Sequence, residues 1–409
     1  MTVAGGFLDT YRRAPVTIVA GQGCELVDER GARYLDCIGG IAVCALGHAH
    51  PAIADAVAAQ ARTLVHASNL YHHEPATSLV RELLSRSGMD AVFLCNSGTE
   101  ANEAAIKLAR KWAYRRGERE RYTIVACEGS FHGRTLGALA ATANAAYHEG
   151  FEPLPAGFAF TAFNDVEALE KAIDDRTAAF IVEPVQGESG VHPATKAFLS
   201  RARELCSERG ALLIYDEIQC GAGRTGSFFA FEQFGVRPDI VTLAKALANG
   251  LPIGAAIANE RAAIGFAPGD HGSTFGGSPI PCAAALTHLR LRDELDLDAH
   301  VRERSAQLFA ELRALARAHP GIFGAPRGMG LLVGLPVVAP HEASALASAA
   351  RANGLLLGTA GGNTLRFAPP LIISEAEIVR AVALLQASVP ADAGRPEVSS
   401  SSKGGIIES

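Results

Sequence analysis

From about residue 75 the chain alternates between continuous apolar runs and stretches whose apolar positions recur three and four apart. The stretch 74–85 has helical spacing and leads to the apolar run 91–95. Helical 99–116 leads to 123–127. Helical 165–173, with Asn164 as the expected cap, leads to 178–183. Helical 195–209, stopped by Gly210, leads to 211–215, and the short apolar runs 240–244 and 255–258 follow. Continuous apolar strands separated by amphipathic helices predict a mostly parallel sheet covered on both faces. Its expected extent is about residues 51–265, beginning with a helix over about 51–62. Before it, 24–28 and 33–36 flank Glu29-Arg30-Gly31 and predict a small hairpin. After about residue 280 the texture changes. One long helix over 283–319 is expected, then strands over 331–335, 355–357 and 365–367. A last helix should start at Ser374, with Glu377 in capping-box spacing. These expectations divide the chain into an N-terminal segment 1–50 packing with a small domain, a large α/β domain 51–270, a small α+β domain 271–390 and a polar, disordered tail 391–409.

Bulk properties narrow the classes of function. The 409 residues are 48% hydrophobic and 20% charged, ordinary for a globular protein. With 37 basic against 43 acidic residues the net charge is -6, the wrong sign for a nucleic-acid binder. No secretory signal is visible and no apolar run is long enough to span a bilayer. The eight cysteines are scattered without a CxxC pair, which suits reduced thiols in the cytoplasm. No metal site is expected.

Four clusters carry candidate chemistry, each at the expected end of a strand, where open α/β sheets bind ligands. Asn96-Ser97-Gly98-Thr99-Glu100 opens a helix. Its free N–H groups and hydroxyls suit a phosphate, and they would equally make a plain N-cap. Asp216-Glu217-Ile218-Gln219 puts two acids at a buried strand end, which calls for a cation: a protonated pyridine nitrogen, a metal or an arginine. Lys245 follows an apolar strand and precedes Gly250-Leu251-Pro252-Ile253-Gly254. Desolvation there would make it a nucleophile toward carbonyls, unless its head snorkels to water. His271-Gly272-Ser273-Thr274-Phe275-Gly276-Gly277 is a second anion contact or a flexible turn.

Together these make the parts list for pyridoxal phosphate: a phosphate cup, an acid for the ring nitrogen and a Schiff-base lysine. Their order resembles the fold-type I pyridoxal-phosphate enzymes, and specifically the class III aminotransferases, over about residues 15–390. The resemblance also rests on Gly39-Gly40-Ile41-Ala42-Val43, Leu46-Gly47-His48, Phe131-His132-Gly133-Arg134-Thr135, Glu183-Pro184-Val185-Gln186-Gly187-Glu188, Gly223-Arg224-Thr225-Gly226 and Arg366-Phe367-Ala368-Pro369.

The resemblance implies roles. Gly98 and Thr99 would bind the cofactor phosphate, and Thr274 the phosphate held by a partner subunit, so a homodimer is expected. Phe131 would stack on the pyridine ring, Asp216 pair with its nitrogen and Gln219 bond its phenolic oxygen. Glu217 and Ile218 are carried over with the same motif. Lys245 would hold the cofactor and move the proton. Arg134 and Ser273 would contact substrate, and Arg366 the α-carboxylate of glutamate, with Glu188 as its switchable partner. Within the class the motifs are most similar to the acetylornithine aminotransferases. That implies transfer of the terminal amine of N2-acetylornithine to 2-oxoglutarate, in arginine synthesis. Succinylornithine, ornithine and 4-aminobutyrate are the alternative donors, and an aminomutase or a decarboxylase is the rival reaction. Three positions depart from the pattern: Ala248-Asn249 in place of a small Gly pair, Ser278 in place of Asn, and Ser189 in place of Gly.

Overall fold

The computed structural model describes residues 6–390, so the expected tail 391–409 lies outside the described residues. Seven strands form the central sheet, in the order Ala91–Cys95, Gly254–Ala258, Ile240–Leu243, Leu212–Asp216, Thr177–Val182, Thr123–Cys127, Phe158–Thr161. Leu212–Asp216 runs parallel to its neighbours on both sides, and Thr123–Cys127 does the same. The middle strands are buried along their whole length, including every residue of Thr177–Val182 and Leu212–Asp216. Unbroken apolar runs are therefore what both covered faces require.

One strand departs from the parallel expectation. Gly254–Ala258 runs antiparallel to both Ile240–Leu243 and Ala91–Cys95. The intervening segment holds only the short 3-10 turn Lys245–Ala248. A parallel return needs a crossover of a dozen or more residues, usually a helix, so this strand turns straight back. The other six strands point one way. All six carboxyl ends, together with the start of the reversed strand, lie along one edge of the sheet.

Helices cover the sheet. Gly98–Arg115 buries Ala101, Ala105, Leu108, Ala109 and the fully enclosed Trp112. Its small residues let it lie close to the strands, and Gly265 packs against Leu108 and Trp112 from outside. Lys196–Glu208 is capped by Thr195, which accepts from the Phe198 N–H. The helix Val166–Ala172 is capped by Asp165, not by the expected Asn164. Asn164 sits at φ 65 and instead bonds the Thr195 N–H and the Pro193 carbonyl, tying this loop to the next helix.

The hairpin expected near the N-terminus is present as Glu25–Asp28 and Arg33–Asp36, with Ile18–Gln22 added on its edge. Leu355–Leu356 pairs parallel to Arg33–Asp36, so the two ends of the chain share a sheet. A further antiparallel sheet has the order Arg327–Met329, Leu332–Pro336, Thr364–Phe367, Gly358–Ala360. The long helix expected over 283–319 is two helices, Pro279–Glu294 and Leu297–Ala318. Asp296 breaks it: at φ 43 it leaves the helical region, and its carboxylate caps the Ala299 N–H. The last helix, Glu375–Gln386, carries the full capping box between Ser374 and Glu377.

Candidate active site

A cavity of about 410 Å³ opens at the shared strand edge. Five strand ends feed it. Asn96 to Thr99 follow the first strand in chain order, Phe131 to Arg134 the second, and Glu183 the fourth. Asp216 closes the next, and Lys245 follows the last forward strand. The segment that leads into the reversed strand supplies Gly250 to Ile253 as a wall. Residues as far apart in the chain as Asn96 and Lys245 meet here because parallel packing aligns strand ends.

Asp216 is the best-held charge. It is 3% exposed. Its Oδ2 accepts from the Asn102 amide at 2.7 Å and lies 2.8 Å from His132 Nδ1, and its Oδ1 accepts the Ile218 N–H at 3.0 Å. Asn102 is itself fixed, donating to the His132 carbonyl and accepting from the Thr242 hydroxyl. This network holds the carboxylate in one orientation with room for one more strong donor. His132 lay inside a motif quoted from the sequence and Asn102 two residues beyond another, yet nothing in their spacing showed that both converge on Asp216.

Glu183 also lines the cavity. It accepts the Phe131 N–H at 2.9 Å and the Gly187 N–H at 3.3 Å. Burial pushes its carboxyl up to about 7, with His132 opposing and Asp216 adding to the rise. The second acid of the strand-end pair behaves differently from expectation. Glu217 is fully buried away from the cavity and accepts the Ala230 and Phe231 N–H groups. Two backbone donors thus replace the cation that a buried acid seemed to require, and burial still lifts it to about 8.

Lys245 projects into the cavity from a left-handed residue, φ 40, at the start of its 3-10 turn. Such a conformation costs a non-glycine residue about 1–3 kcal/mol, and it is found where surrounding structure enforces a functional position. Burial lowers its ammonium below the ordinary lysine value, Glu188 pulls it back up, and Arg366 pushes it down again. A larger neutral fraction makes it a better nucleophile and base.

Arg366, buried on its strand, donates to Glu188 Oε1 at 2.5 Å, and to the Gly187 carbonyl and Gln219 Oε1 at 3.2 Å each. Gln219 returns a bond from Nε2 to Glu188 Oε1 at 3.0 Å. Burial works to raise Glu188, and the guanidinium beside it holds it below the usual carboxylate range. A Cβ at Gly187 would overlap the Gln219 amide, so a larger residue there would push Gln219 out of this network.

At the mouth of the helix Gly98–Arg115, Ser97 accepts the Glu100 N–H, while Glu100 accepts the Asn96 N–H. The Gly98 and Thr99 N–H groups find no acceptor among the described residues. Gly98 admits nothing larger, since a Cβ would lie 2.7 Å from an Ile218 methyl. Free helix-start amides beside a hydroxyl form an anion cradle. With Asp216 and Lys245 at the same cavity, the donor set fits pyridoxal phosphate. Phe131 borders the space, as does the exposed Arg134.

Ser273 reaches the rim by accepting from Asn96 Nδ2 at 3.2 Å. Thr274 lies outside the cavity, exposed, in a shallow groove with Ser68 and Asn69. The three departures are absorbed locally. Asn249, left-handed at φ 49, accepts the Leu46 N–H and donates to the Gly47 carbonyl. Ser189 donates to Gln186, and Ser278 to the Phe275 carbonyl.

The family model for class III aminotransferases matches residues 9–389. Acetylornithine aminotransferase of Thermosynechococcus vestitus is 48% identical over 91% of this chain and 92% of its own length. Among solved structures, ornithine aminotransferase from Toxoplasma gondii superposes with a TM-score of 0.90 at 34% identity, covering 94% of this chain and 92% of that one. N-acetylornithine aminotransferase from Stenotrophomonas maltophilia gives 0.81 at 38% identity, covering 92% and 96%.

Proposed function

Since the chain belongs to the class III aminotransferases, which use pyridoxal phosphate, we propose that it transfers the terminal amine of N2-acetylornithine to 2-oxoglutarate. The products are N-acetylglutamate 5-semialdehyde and glutamate. The observation that carries this reading is the Arg366–Glu188 pair at the edge of the lysine cavity. A terminal-amine donor brings an uncharged chain past Arg366, which must then be neutralised from within the protein. Glutamate brings an α-carboxylate, which can take Glu188's place. An unpaired charge in a dehydrated pocket is costly, so a carboxylate that comes and goes suits two such substrates. The names of the curated relatives support the acetylated donor.

Bound pyridoxal phosphate supplies an aldehyde that exchanges among primary amines and a protonated ring that accepts electron density from the reacting carbon. The protein's groups then divide the work. Gly98 and Thr99 amides hold the phosphate, with Glu217 remote and Ile218 packing against Gly98. Phe131 would pack on the ring, and Asp216, held by Asn102 and His132, would keep the ring nitrogen protonated. Lys245 would hold the cofactor, and its amine, when free, is the base placed to move a proton from the amine-bearing carbon. Arg134 receives the remote carboxylate of either substrate, and Ser273 lies at the same mouth. Gln219, bonded to both members of the ion pair, steadies whichever state is present.

Acetylation blocks the α-amine, so the semialdehyde product cannot close into a cyclic imine. That supports a role in arginine synthesis, where the enzyme runs toward acetylornithine. The working unit is taken to be a homodimer. Thr274 stands outside its own cavity, next to Phe275, Leu70 and Tyr71, which are 63%, 85% and 70% exposed. A second copy would cover them and receive Thr274 at its phosphate. No helix among the described residues is long and apolar enough to cross a membrane. The eight free thiols support a reducing compartment such as the cytoplasm.

The test is a panel of amines with 2-oxoglutarate, compared by specificity constant. Acetylornithine should lead succinylornithine, ornithine and 4-aminobutyrate. A clear preference for unacetylated ornithine overturns the donor assignment.

A further inference from the structure

Arg134 is an exposed arginine at the cavity mouth that makes no hydrogen bond or ion pair among the described residues. An arginine in that state samples many rotamers, and ordering it costs a carboxylate part of its binding energy. Yet the guanidinium is not loose. It lies 3.7 Å from the centroid of the Tyr147 ring and 5.5 Å from that of Phe131. The two rings meet edge to face, 6.3 Å apart at 88°.

Tyr147 is held from both sides. Asn144 caps the short helix Ala145–His148 by accepting the Ala146 N–H at 3.1 Å. His148 Nε2 lies 2.7 Å from the Thr142 carbonyl and 3.0 Å from that of Leu139. Phe131 is anchored through its N–H to Glu183. The two rings that flank the guanidinium, Tyr147 closely and Phe131 at longer range, are therefore fixed to different parts of the scaffold.

We propose that Tyr147 is a positioning residue for substrate specificity: its ring holds the Arg134 guanidinium by a cation–π contact, aimed to receive the remote carboxylate of both substrates. The ring takes up the charge at the guanidinium carbon, and with no hydrogen-bond partner among the described residues the Arg134 N–H groups stay free for a carboxylate. A planar fork presented edge-on is what bidentate carboxylate binding requires. The contact uses the π-face and not the hydroxyl, so Phe should replace Tyr147 and an aliphatic side chain should not. This inference rests on Arg134 being the carboxylate receiver.

The experiment is a double-mutant cycle on the holoenzyme. Calorimetry measures the Kd of glutarate, a non-reacting dicarboxylate. The kcat/KM ratio of acetylornithine to 1,4-diaminobutane, a terminal amine with no carboxylate, is measured beside it. Tyr147→Leu should weaken glutarate binding about five-fold, at the upper end for an exposed cation–π contact. It should lower the kcat/KM ratio by a similar factor and leave diaminobutane turnover unchanged. Tyr147→Met, equally without a π-face, should match it, and guards against a Leu variant that does not fold. Tyr147→Phe should stay within about two-fold of the parent. In an Arg134→Ala background, Tyr147→Leu should add nothing. If Arg134→Ala weakens glutarate but Tyr147→Leu and Tyr147→Met do not, or if Tyr147→Leu acts equally without Arg134, the inference is overturned and the reading of Arg134 stands. If Arg134→Ala itself leaves glutarate binding unchanged, both fall together.

Discussion

Replacing Glu188 by Ala should convert the enzyme toward α-amine donors. In the resting protein Arg366 is satisfied by one short charge-assisted bond to Glu188 Oε1, 2.5 Å, with the Gly187 carbonyl and Gln219 as weaker partners. Glutamate must displace that carboxylate before its own can bind. A hydrogen bond to a charged group is worth about 1.5–3 kcal/mol net. The Glu188 side chain is 29% exposed, so solvent takes up part of the loss when it swings out. The lower end, about 1.5 kcal/mol, is the realistic cost, or roughly ten-fold in rate. Glu188→Ala removes this competition for glutamate and strips the counter-charge needed by acetylornithine. The ratio of glutamate to acetylornithine half-reaction rates should rise by at least about ten-fold. Arg366→Ala should do the reverse, slowing the glutamate half on the order of 10²-fold through loss of a charge-assisted carboxylate contact. Its effect on the acetylornithine half should be smaller, because a partly exposed Glu188 without its partner can be hydrated. Single-turnover stopped-flow, following the cofactor absorbance with each substrate alone, measures both halves separately. The reasoning is refuted if Glu188→Ala leaves the ratio within two-fold of the parent (about 0.4 kcal/mol), or if Arg366→Ala slows both halves alike.

Three further outcomes are expected. Lys245→Ala should keep the fold and bind cofactor, lose at least about 10²–10⁴-fold in turnover, and no longer be fixed to cofactor by borohydride; full activity would remove Lys245 from the chemistry. Gly98→Ala forces a methyl to within 2.7 Å of Ile218 at the anion cradle, so reconstitution of apoprotein should show cofactor affinity weakened by roughly ten-fold, about 1–2 kcal/mol of overpacking, and an unchanged Kd would place the phosphate elsewhere. His48 is raised to about 9, chiefly by its bond to Asp36, with Cys44 helping and burial opposing. Its folded value lies above the ordinary 6.5, so its stabilisation is complete below about pH 6.5 and is lost as pH rises through about 9. Melting temperature should therefore fall between pH 7 and 10, and His48→Gln should flatten that fall; equal slopes in the two proteins would dismiss the linkage.

Much of this molecule was legible before any coordinates. Apolar runs with helical spacers gave the covered sheet, because a strand buried on both faces has no polar position to spare. Ser374 and Glu377 announced their helix start, because a capping box is a contact between residues three apart. The cofactor class followed from residue types at strand ends: amides and hydroxyls at 98–99, an acid at 216, a lysine at 245. Each of these signals is local, or repeats with the period of a single element.

What failed or stayed hidden was set by competition between distant groups. Asn164 and Asp165 are equally good caps by composition, and the choice fell to Asp165 because Asn164 is claimed by the Thr195 N–H across the fold. Glu217 looked like a cofactor ligand beside Asp216, yet it follows the end of the strand and its carboxylate meets the Ala230 and Phe231 amides instead. The reversal of Gly254–Ala258 brings residues 250–253 into the cavity wall. Asn102 and His132 meet at Asp216 across 114 and 84 residues, and Tyr147 comes to lie over Arg134 from a turn with no motif of its own. Sequence determined which chemistry the chain carries, because residue type and local spacing fix propensity and reactivity. Only tertiary packing decided which groups face one another, because a side chain's partner depends on register, strand direction and what else is within reach.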